Sequence, residues 1–212
     1  VELAKMSFND TQTFFINVFN CLCLHAHLTV GLPDGTDFRR GQEVFMKDAQ
    51  YRIGEVNYSL EDLLQCMRGK AVKKFSPAGR IKGIPDPRVH FALCDFTASA
   101  PALRIYTTEN LAFDLDAAAR SFLQREVQIL GAHPGPVTLM LPRVFKWFNS
   151  DFGGRSSDVV SLVARFLPAT QASQLTACAA GNSKFSIKYS AFDWRIAIAQ
   201  HIDSFRAASN AV

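Results

Sequence analysis

The sequence predicts a helix-rich α+β fold with a small antiparallel sheet, as one domain of 212 residues. Three observations carry that prediction. Leu111, Leu115, Ala118, Ala119 and Phe122 recur at helical spacing. The apolar runs 127–130 and 137–141 flank Gly131-Ala132-His133-Pro134-Gly135, which reads as an antiparallel pair joined by a longer loop. Helices and strands then alternate without strict βαβ spacing, which favours α+β over a doubly wound sheet. With 48% hydrophobic residues, 20% charged residues and a mean hydropathy of +0.04, collagen-like, coiled-coil and disordered classes are excluded.

The first element is a helix through the stretch 11–33, which carries no charged side chain. That length suits a membrane span, but Asn17, Asn20, His25 and His27 would be costly in hydrocarbon, and no aromatic or basic anchors bracket the run. On a helical wheel Phe15, Val18, Phe19, Leu22, Cys23 and Ala26 share one side. Asn17, Asn20, Cys21, Leu24, His25 and, at its edge, His27 form a second, polar but uncharged face. Such a face predicts the wall of a polar cleft or the anchor of a core network, because solvated helix faces carry Lys and Glu. Asp10 or Thr11 is the expected N-cap, and Gly31-Leu32-Pro33 the expected stop.

Next come a short hairpin, 51–53 and 56–58 around Gly54-Glu55, and a helix opened by Ser59 and Asp62 that runs to about Met67. Residues 70–87, broken by Pro77, Gly79, Gly83, Pro85 and Pro87, read as a loop, and 90–94 and 103–106 read as strands. A helix over 110–125 precedes the antiparallel pair. A short helix follows from Pro142 to Phe148, then helices over 157–166 and 170–179, and a closing strand over 185–189.

A net charge of +4 and a pI near 8.9 point first to nucleic acid or another acidic surface. The charge is local. Arg68, Lys70, Lys73, Lys74, Arg80, Lys82 and Arg88 face Asp86 alone, a local +6, which leaves −2 on the rest of the chain. With only Phe75 interleaved, nucleic acid is disfavoured, and the stretch reads as a solvated loop or a docking site for an acidic protein partner. Five cysteines without zinc-finger spacing suggest a reducing, intracellular compartment, and no metal or cofactor is implied. A chain that opens on Val1 reads as processed or as part of a longer protein.

Several segments together are distinctive. They are Phe14-Phe15-Ile16-Asn17-Val18-Phe19-Asn20 with Leu24-His25-Ala26; Tyr51-Arg52-Ile53-Gly54 before Tyr58-Ser59-Leu60; and Asp86-Pro87-Arg88-Val89-His90-Phe91-Ala92-Leu93. Later come Phe145-Lys146-Trp147-Phe148 with Asp151-Phe152-Gly153, and Ile187-Lys188-Tyr189 with Asp193-Trp194. This ordered set resembles the domain-of-unknown-function 547 family. The resemblance implies a module found beside leucine-zipper, DEP or glutaredoxin-like segments in eukaryotic proteins and alone in some bacterial ones. Members usually carry two cysteines before a Pro that leads to Leu-Arg; with Pro101 and Arg104 fixing the register, Asp95 and Ala100 stand at those positions. Where members tend to have Glu-His, this chain has Leu64-Gln65. The resemblance therefore implies a degenerate, non-catalytic copy serving in protein interaction or as a structural part of a larger assembly.

The alternative is a thiol- or histidine-dependent hydrolase or transferase. Cys94 would be the nucleophile and His25 or His90 the base, in a cleft lined by Asn17, Asn20, Asp86, Arg88, Asp95 and Arg104. Arg88 or Arg104 could hold a carboxylate or phosphate there, or could pin the loop through Asp86 or Asp95. Cys21 and His25, four apart on one helix face, have chelating spacing, with His90 and Cys94 as further ligands. The commoner reading is a buried thiol and a hydrogen-bonded histidine.

Overall fold

In the computed structural model, which describes residues 5–30, 38–70, 86–131, 135–180 and 185–209, Ser7 caps the first helix, α1 (Phe8–Thr29). The Ser7 hydroxyl accepts from the Asp10 N–H at 3.1 Å, and the Asp10 carboxylate accepts from the Ser7 N–H and O–H. The helix so begins before the expected cap at Asp10 or Thr11. A Ser-x-x-Asp box satisfies two free helix-end donors at once, which a single side chain there could not. Val30 closes α1, while the expected stop at Gly31-Leu32-Pro33 lies outside the described residues.

α2 (Phe38–Asp48), which the sequence reading left unassigned, leads into the hairpin β1 (Gln50–Ile53) and β2 (Val56–Ser59). The strands pair antiparallel from Gln50 opposite Ser59 to Ile53 opposite Val56. A two-residue turn requires positive φ, and Gly54 supplies it at +62°. α3 (Leu60–Met67) starts from the predicted box: the Asp62 N–H donates to the Ser59 hydroxyl at 3.1 Å, and the Ser59 N–H to the Asp62 carboxylate at 2.9 Å. α3 packs against α1, and Leu60, Leu63 and Met67 of the one and Phe15, Ile16 and Leu22 of the other are buried.

The segment 90–94 is not a strand. Asp86 followed by Pro87 is a helix-start signal, and a 3-10 helix (Pro87–Phe91) forms, with the Asp86 carboxylate accepting from the Arg88 N–H at 2.9 Å. Nor is 103–106 a strand; its backbone is held by a side chain of α1, described below.

α4 (Leu111–Glu126) matches the periodicity that predicted it. The chain divides within it into two compact units, Val1–Leu115 with Asp193–Val212, and Asp116–Phe192. In the second unit β3 (Gln128–Leu130) pairs antiparallel with β4 (Val137–Leu141), as expected. Gly131, at φ +87°, admits no side chain, since a Cβ would lie 2.3 Å from the Pro136 carbonyl oxygen. α5 (Val144–Trp147), a 3-10 turn (Asn149–Phe152), α6 (Ser156–Phe166) and α7 (Ala169–Ala180) follow. This long connection returns the chain to the sheet in the same direction, so β5 (Phe185–Tyr189) joins β4 in parallel, and the three-stranded sheet is mixed. Val137, Leu139 and Leu141 alternate inward and are fully buried, as are Val163, Phe166 and Leu175 of α6 and α7. α8 (Ile198–Ser209), also unassigned from sequence, belongs to the first unit. The fold is helix-rich α+β. No helix among the described residues is long and apolar enough to cross a membrane.

Candidate functional site

The uncharged polar residues of α1 meet the irregular segment 92–106 inside the first unit. Asn20, 3% exposed, donates from Nδ2 to the Ala92 carbonyl at 3.1 Å and accepts the Cys94 N–H on Oδ1 at 2.9 Å. One turn earlier Asn17 repeats the pattern: Nδ2 donates to the Tyr106 carbonyl at 2.8 Å, and Oδ1 accepts the Tyr106 N–H at 3.0 Å. A primary amide carries a donor and an acceptor side by side, so it replaces the neighbouring strand that this backbone lacks. The two amides expected to line a cleft are thus committed to holding chain.

A second knot surrounds Phe96, the only non-glycine residue among those described with positive φ, at +61°. The Asp95 carboxylate accepts from the Thr97 N–H at 3.0 Å and the Thr97 hydroxyl at 2.7 Å. His27 donates from Nε2 to the Asp95 carbonyl at 3.2 Å and stacks on Phe45, with ring centroids 4.4 Å apart. His201 of α8 donates from Nε2 to the Thr97 carbonyl at 2.8 Å. A carbonyl only accepts, so each imidazole carries its proton on Nε2; His27 Nδ1 is left buried without a hydrogen-bond partner among the described residues.

Burial dominates the electrostatics here. It lowers the His27 imidazole below its ordinary value, against the raising effects of the Asp95 carbonyl and charge. It raises the Asp95 carboxyl, against the Thr97 hydrogen bonds. It pushes the Cys23 thiol well up, with Asp95 and Cys94 adding to the effect. Because folding lowers the His27 pKa, the unfolded chain binds more protons, and the stability from neutral His27 is present above about pH 6.5 and lost as the pH falls below it. Asp95 has the opposite sign, contributing most at low pH and losing that contribution as pH rises through its raised folded value. Urea midpoints of wild type should therefore decline more steeply than those of His27→Gln between pH 7 and pH 5, and parallel slopes would remove His27 as the titrating group.

The candidate catalytic side chains are placed differently. Cys94 is 0% exposed and His90 is buried, whereas His25 is exposed and its Nδ1 lies 2.8 Å from the Tyr51 hydroxyl. Cys21, also exposed, has its sulfur 3.8 Å from the same hydroxyl, so Tyr51 of β1 completes a surface trio that sequence spacing alone half-revealed. Desolvation first, then the Cys21 hydrogen bond and charge, push the Tyr51 hydroxyl up to about 12. Among the described residues no group of three or more His, Cys, Asp or Glu side chains could hold a metal ion.

Asp86 and Arg88 form an ion pair, with Arg88 Nε 3.0 Å from both carboxylate oxygens and Nη1 donating to the Ala112 carbonyl at 3.0 Å. Arg104 Nε is buried without a partner among the described residues. Of the basic stretch, Arg68 Nη1 donates to Gln65 Oε1 at 3.3 Å and Lys70 is exposed, while Lys73, Lys74, Arg80 and Lys82 lie outside the described residues. Sequence reasoning missed His201, whose helix it did not assign, and Tyr106, which it read as a strand residue. The Ser-Asp capping box and the Asp-Pro pair were the available signals for the surrounding structure.

A family model described as a protein of unknown function, DUF547, matches residues 3–123, which include α1, the hairpin and the whole segment 92–106. The two later motifs, from Phe145 and from Ile187, lie beyond that match. No curated protein and no solved structure matches the chain. The match takes in more than half of the sequence, and the chain belongs to the DUF547 family.

Proposed function

We propose that this chain is a non-catalytic binding domain of the DUF547 family that acts within a larger protein or assembly and docks an acidic protein partner through the basic stretch from Arg68 to Arg88. The observation that carries the non-catalytic part is the state of Cys94. Its side chain has no accessible surface, and its N–H is held by Asn20 at 2.9 Å. A nucleophile must meet its substrate, and a reactive thiol sits in an electropositive, partly exposed setting. The neighbouring Cys23 thiol is held protonated by burial. Asn17, Asn20, Asp86 and Arg88 are engaged with backbone or with one another, which suits scaffold duty. The docking part rests on seven basic residues against one acid over 68–88, of which Asp86 neutralises Arg88.

One preparation tests both parts. In native protein near neutral pH, iodoacetamide should label Cys21 and spare Cys23, Cys66, Cys94 and Cys178 until denaturant is added. Rapid native labelling of Cys94 would restore the hydrolase or transferase alternative with His25 or His90 as base. On immobilised polyglutamate the chain should be retained at low salt and released as salt rises. Retention unchanged in the Lys73→Glu, Lys74→Glu, Arg80→Glu, Lys82→Glu variant would sink the docking assignment.

A further inference from the structure

Cys21 and His25 stand one helical turn apart on α1, and both are exposed. Positions i and i+4 of a helix hold their Cβ atoms about 5–6 Å apart on one face, a spacing at which two side chains can grip one ion. Tyr51 reaches the same spot from β1. Its hydroxyl lies 2.8 Å from His25 Nδ1 and 3.8 Å from the Cys21 sulfur. A thiol, an imidazole and a phenol from two elements of the first unit therefore converge where solvent and ions have access. Cysteine is among the residues most often buried, and Cys23, Cys66, Cys94 and Cys178 follow that habit, whereas Cys21 does not. The buried thiol that makes chelating spacing uninformative in most helices is not what stands here.

We infer that Cys21, His25 and Tyr51 form a zinc site, with Cys21 Sγ and His25 Nδ1 as the main ligands, the Tyr51 hydroxyl oxygen as the third and water in the fourth position. The distances fit. Zinc takes sulfur at about 2.3 Å and nitrogen or oxygen at about 2.0 Å, so tetrahedral geometry sets S and O about 3.5 Å apart and N and O about 3.3 Å apart. Moving the hydroxyl from its present place to that arrangement takes no more than about half an ångström toward the sulfur and away from the ring nitrogen. The donor chemistry selects the ion, since thiolate and imidazole suit zinc, whereas magnesium and calcium take oxygen ligands. Zinc binds the thiolate, so uptake releases the Cys21 proton to solvent; the neutral imidazole keeps its proton on Nε2 and gives the Nδ1 lone pair to the metal. Tyr51 is the weakest of the three donors, because its oxygen carries a proton at neutral pH. Three protein ligands and a water make an open site, not the four-ligand closure of a structural zinc. Cys94 and His90, the further ligands suggested by the sequence, are buried, and the phenol of Tyr51 stands beside Cys21 and His25 instead. The site shares no residue with the basic stretch, so it stands whether or not that stretch docks a partner.

The test uses the full chain, reduced and stripped of metal, with cobalt(II) as the coloured substitute for zinc. Cobalt should raise a thiolate-to-metal charge-transfer band in the near ultraviolet that saturates at one equivalent. Zinc should abolish the band, and excess magnesium should leave it intact. Cys21→Ser should lose it. His25→Gln should weaken cobalt binding by more than about a hundredfold and Tyr51→Phe by about tenfold, since even the groups behind a metal's direct ligands cost about 10–100-fold. Cys21 and His25 are exposed and Tyr51→Phe keeps the ring, so all three variants should fold as the wild type does. Zinc should also slow iodoacetamide labelling of Cys21 in the wild type but not in His25→Gln, a variant that keeps the thiol in place. A wild type with no saturable band, a band that survives Cys21→Ser, or an affinity unchanged in His25→Gln overturns the inference. Equal affinity in Tyr51→Phe and wild type removes the third ligand and overturns it too. None of these results bears on native labelling of Cys94 or on polyglutamate retention, which test the binding-domain reading by themselves.

Discussion

Asn20→Ala is expected to destabilise the first unit by about 3 kcal/mol, from the usual penalty of 1–3 kcal/mol for each buried polar group left unsatisfied. The variant removes one side chain but orphans two backbone groups, the Ala92 carbonyl and the Cys94 N–H, at a position 3% exposed where water does not easily substitute. The hydrophobic effect hardly enters, since an amide offers little apolar area. Asn20→Asp keeps the acceptor for the Cys94 N–H, yet it loses the donor and buries a charge, so it should rescue nothing at neutral pH. Urea denaturation with an unchanged slope and a lower midpoint is the expected record. A loss below about 1 kcal/mol would mean that the segment 92–106 does not depend on α1 for its hydrogen bonds. Native-state hydrogen exchange should show the same dependence locally, with the Cys94 N–H losing protection first.

That prediction also marks where the sequence was legible and where it was not. Elements whose signals are local were read with near-correct ends. The Ser59 and Asp62 box starts α3, the turn at Gly54 closes the hairpin, and the apolar runs around Gly131 form β3 and β4. Of the wheel's apolar face Phe15, Phe19, Leu22, Cys23 and Ala26 are buried and Val18 is half-buried, while Asn20 and His27 of the polar face are buried as well. The other face was recognised as polar and uncharged, but its use depended on what lies opposite. Asn17 and Asn20 meet bare backbone, while Cys21 and His25 reach the surface and Tyr51. An apolar run such as 90–94 suits a strand or a buried turn equally; Asp86-Pro87 decided it, and side-chain amides then supplied the partner that a strand would have needed. The helix α8 and its His201 escaped because Ile198–Ser209 carries a weak apolar stripe, with His201 its one buried residue. Its attachment is made by pairing with residues a hundred positions away. The Thr97 carbonyl accepts from His201, and an isolated antiparallel bridge joins Thr97 to Ile196. No window of the sequence contains both sides of that contact.

Phe96 sits at the centre of this attachment, and shortening it is expected to have the other large effect. Its ring is 0% exposed and lies edge-on to the imidazoles of His27 and His201, with centroids 6.3 and 5.7 Å away. Its carbonyl accepts the Ala197 N–H at 2.8 Å, just ahead of α8, and the Ala98 N–H donates to the Arg195 carbonyl at 2.8 Å. Phe96→Ala should lose about 3–5 kcal/mol, the range for deleting a buried phenyl ring. The backbone adds a second expectation. At φ +61° any side chain with a Cβ is strained, whereas glycine is not. Phe96→Gly removes the same ring and one methyl more, so ordinary packing and helix-free chain entropy both predict that it is the worse variant. The positive φ reverses the order: Phe96→Gly should be the more stable of the two by about 1 kcal/mol, the usual left-handed penalty less the flexibility that glycine adds to the unfolded chain. In both variants the Ala197 N–H should exchange faster than amides of α3, because the ring that organises both histidines is gone while the core of α1 and α3 is intact. If alanine proves the better replacement, the left-handed turn at Phe96 is not what shapes the knot. The link between the 92–106 segment and α8 then rests on the hydrogen bonds made by His201, Ala197 and the Arg195 carbonyl.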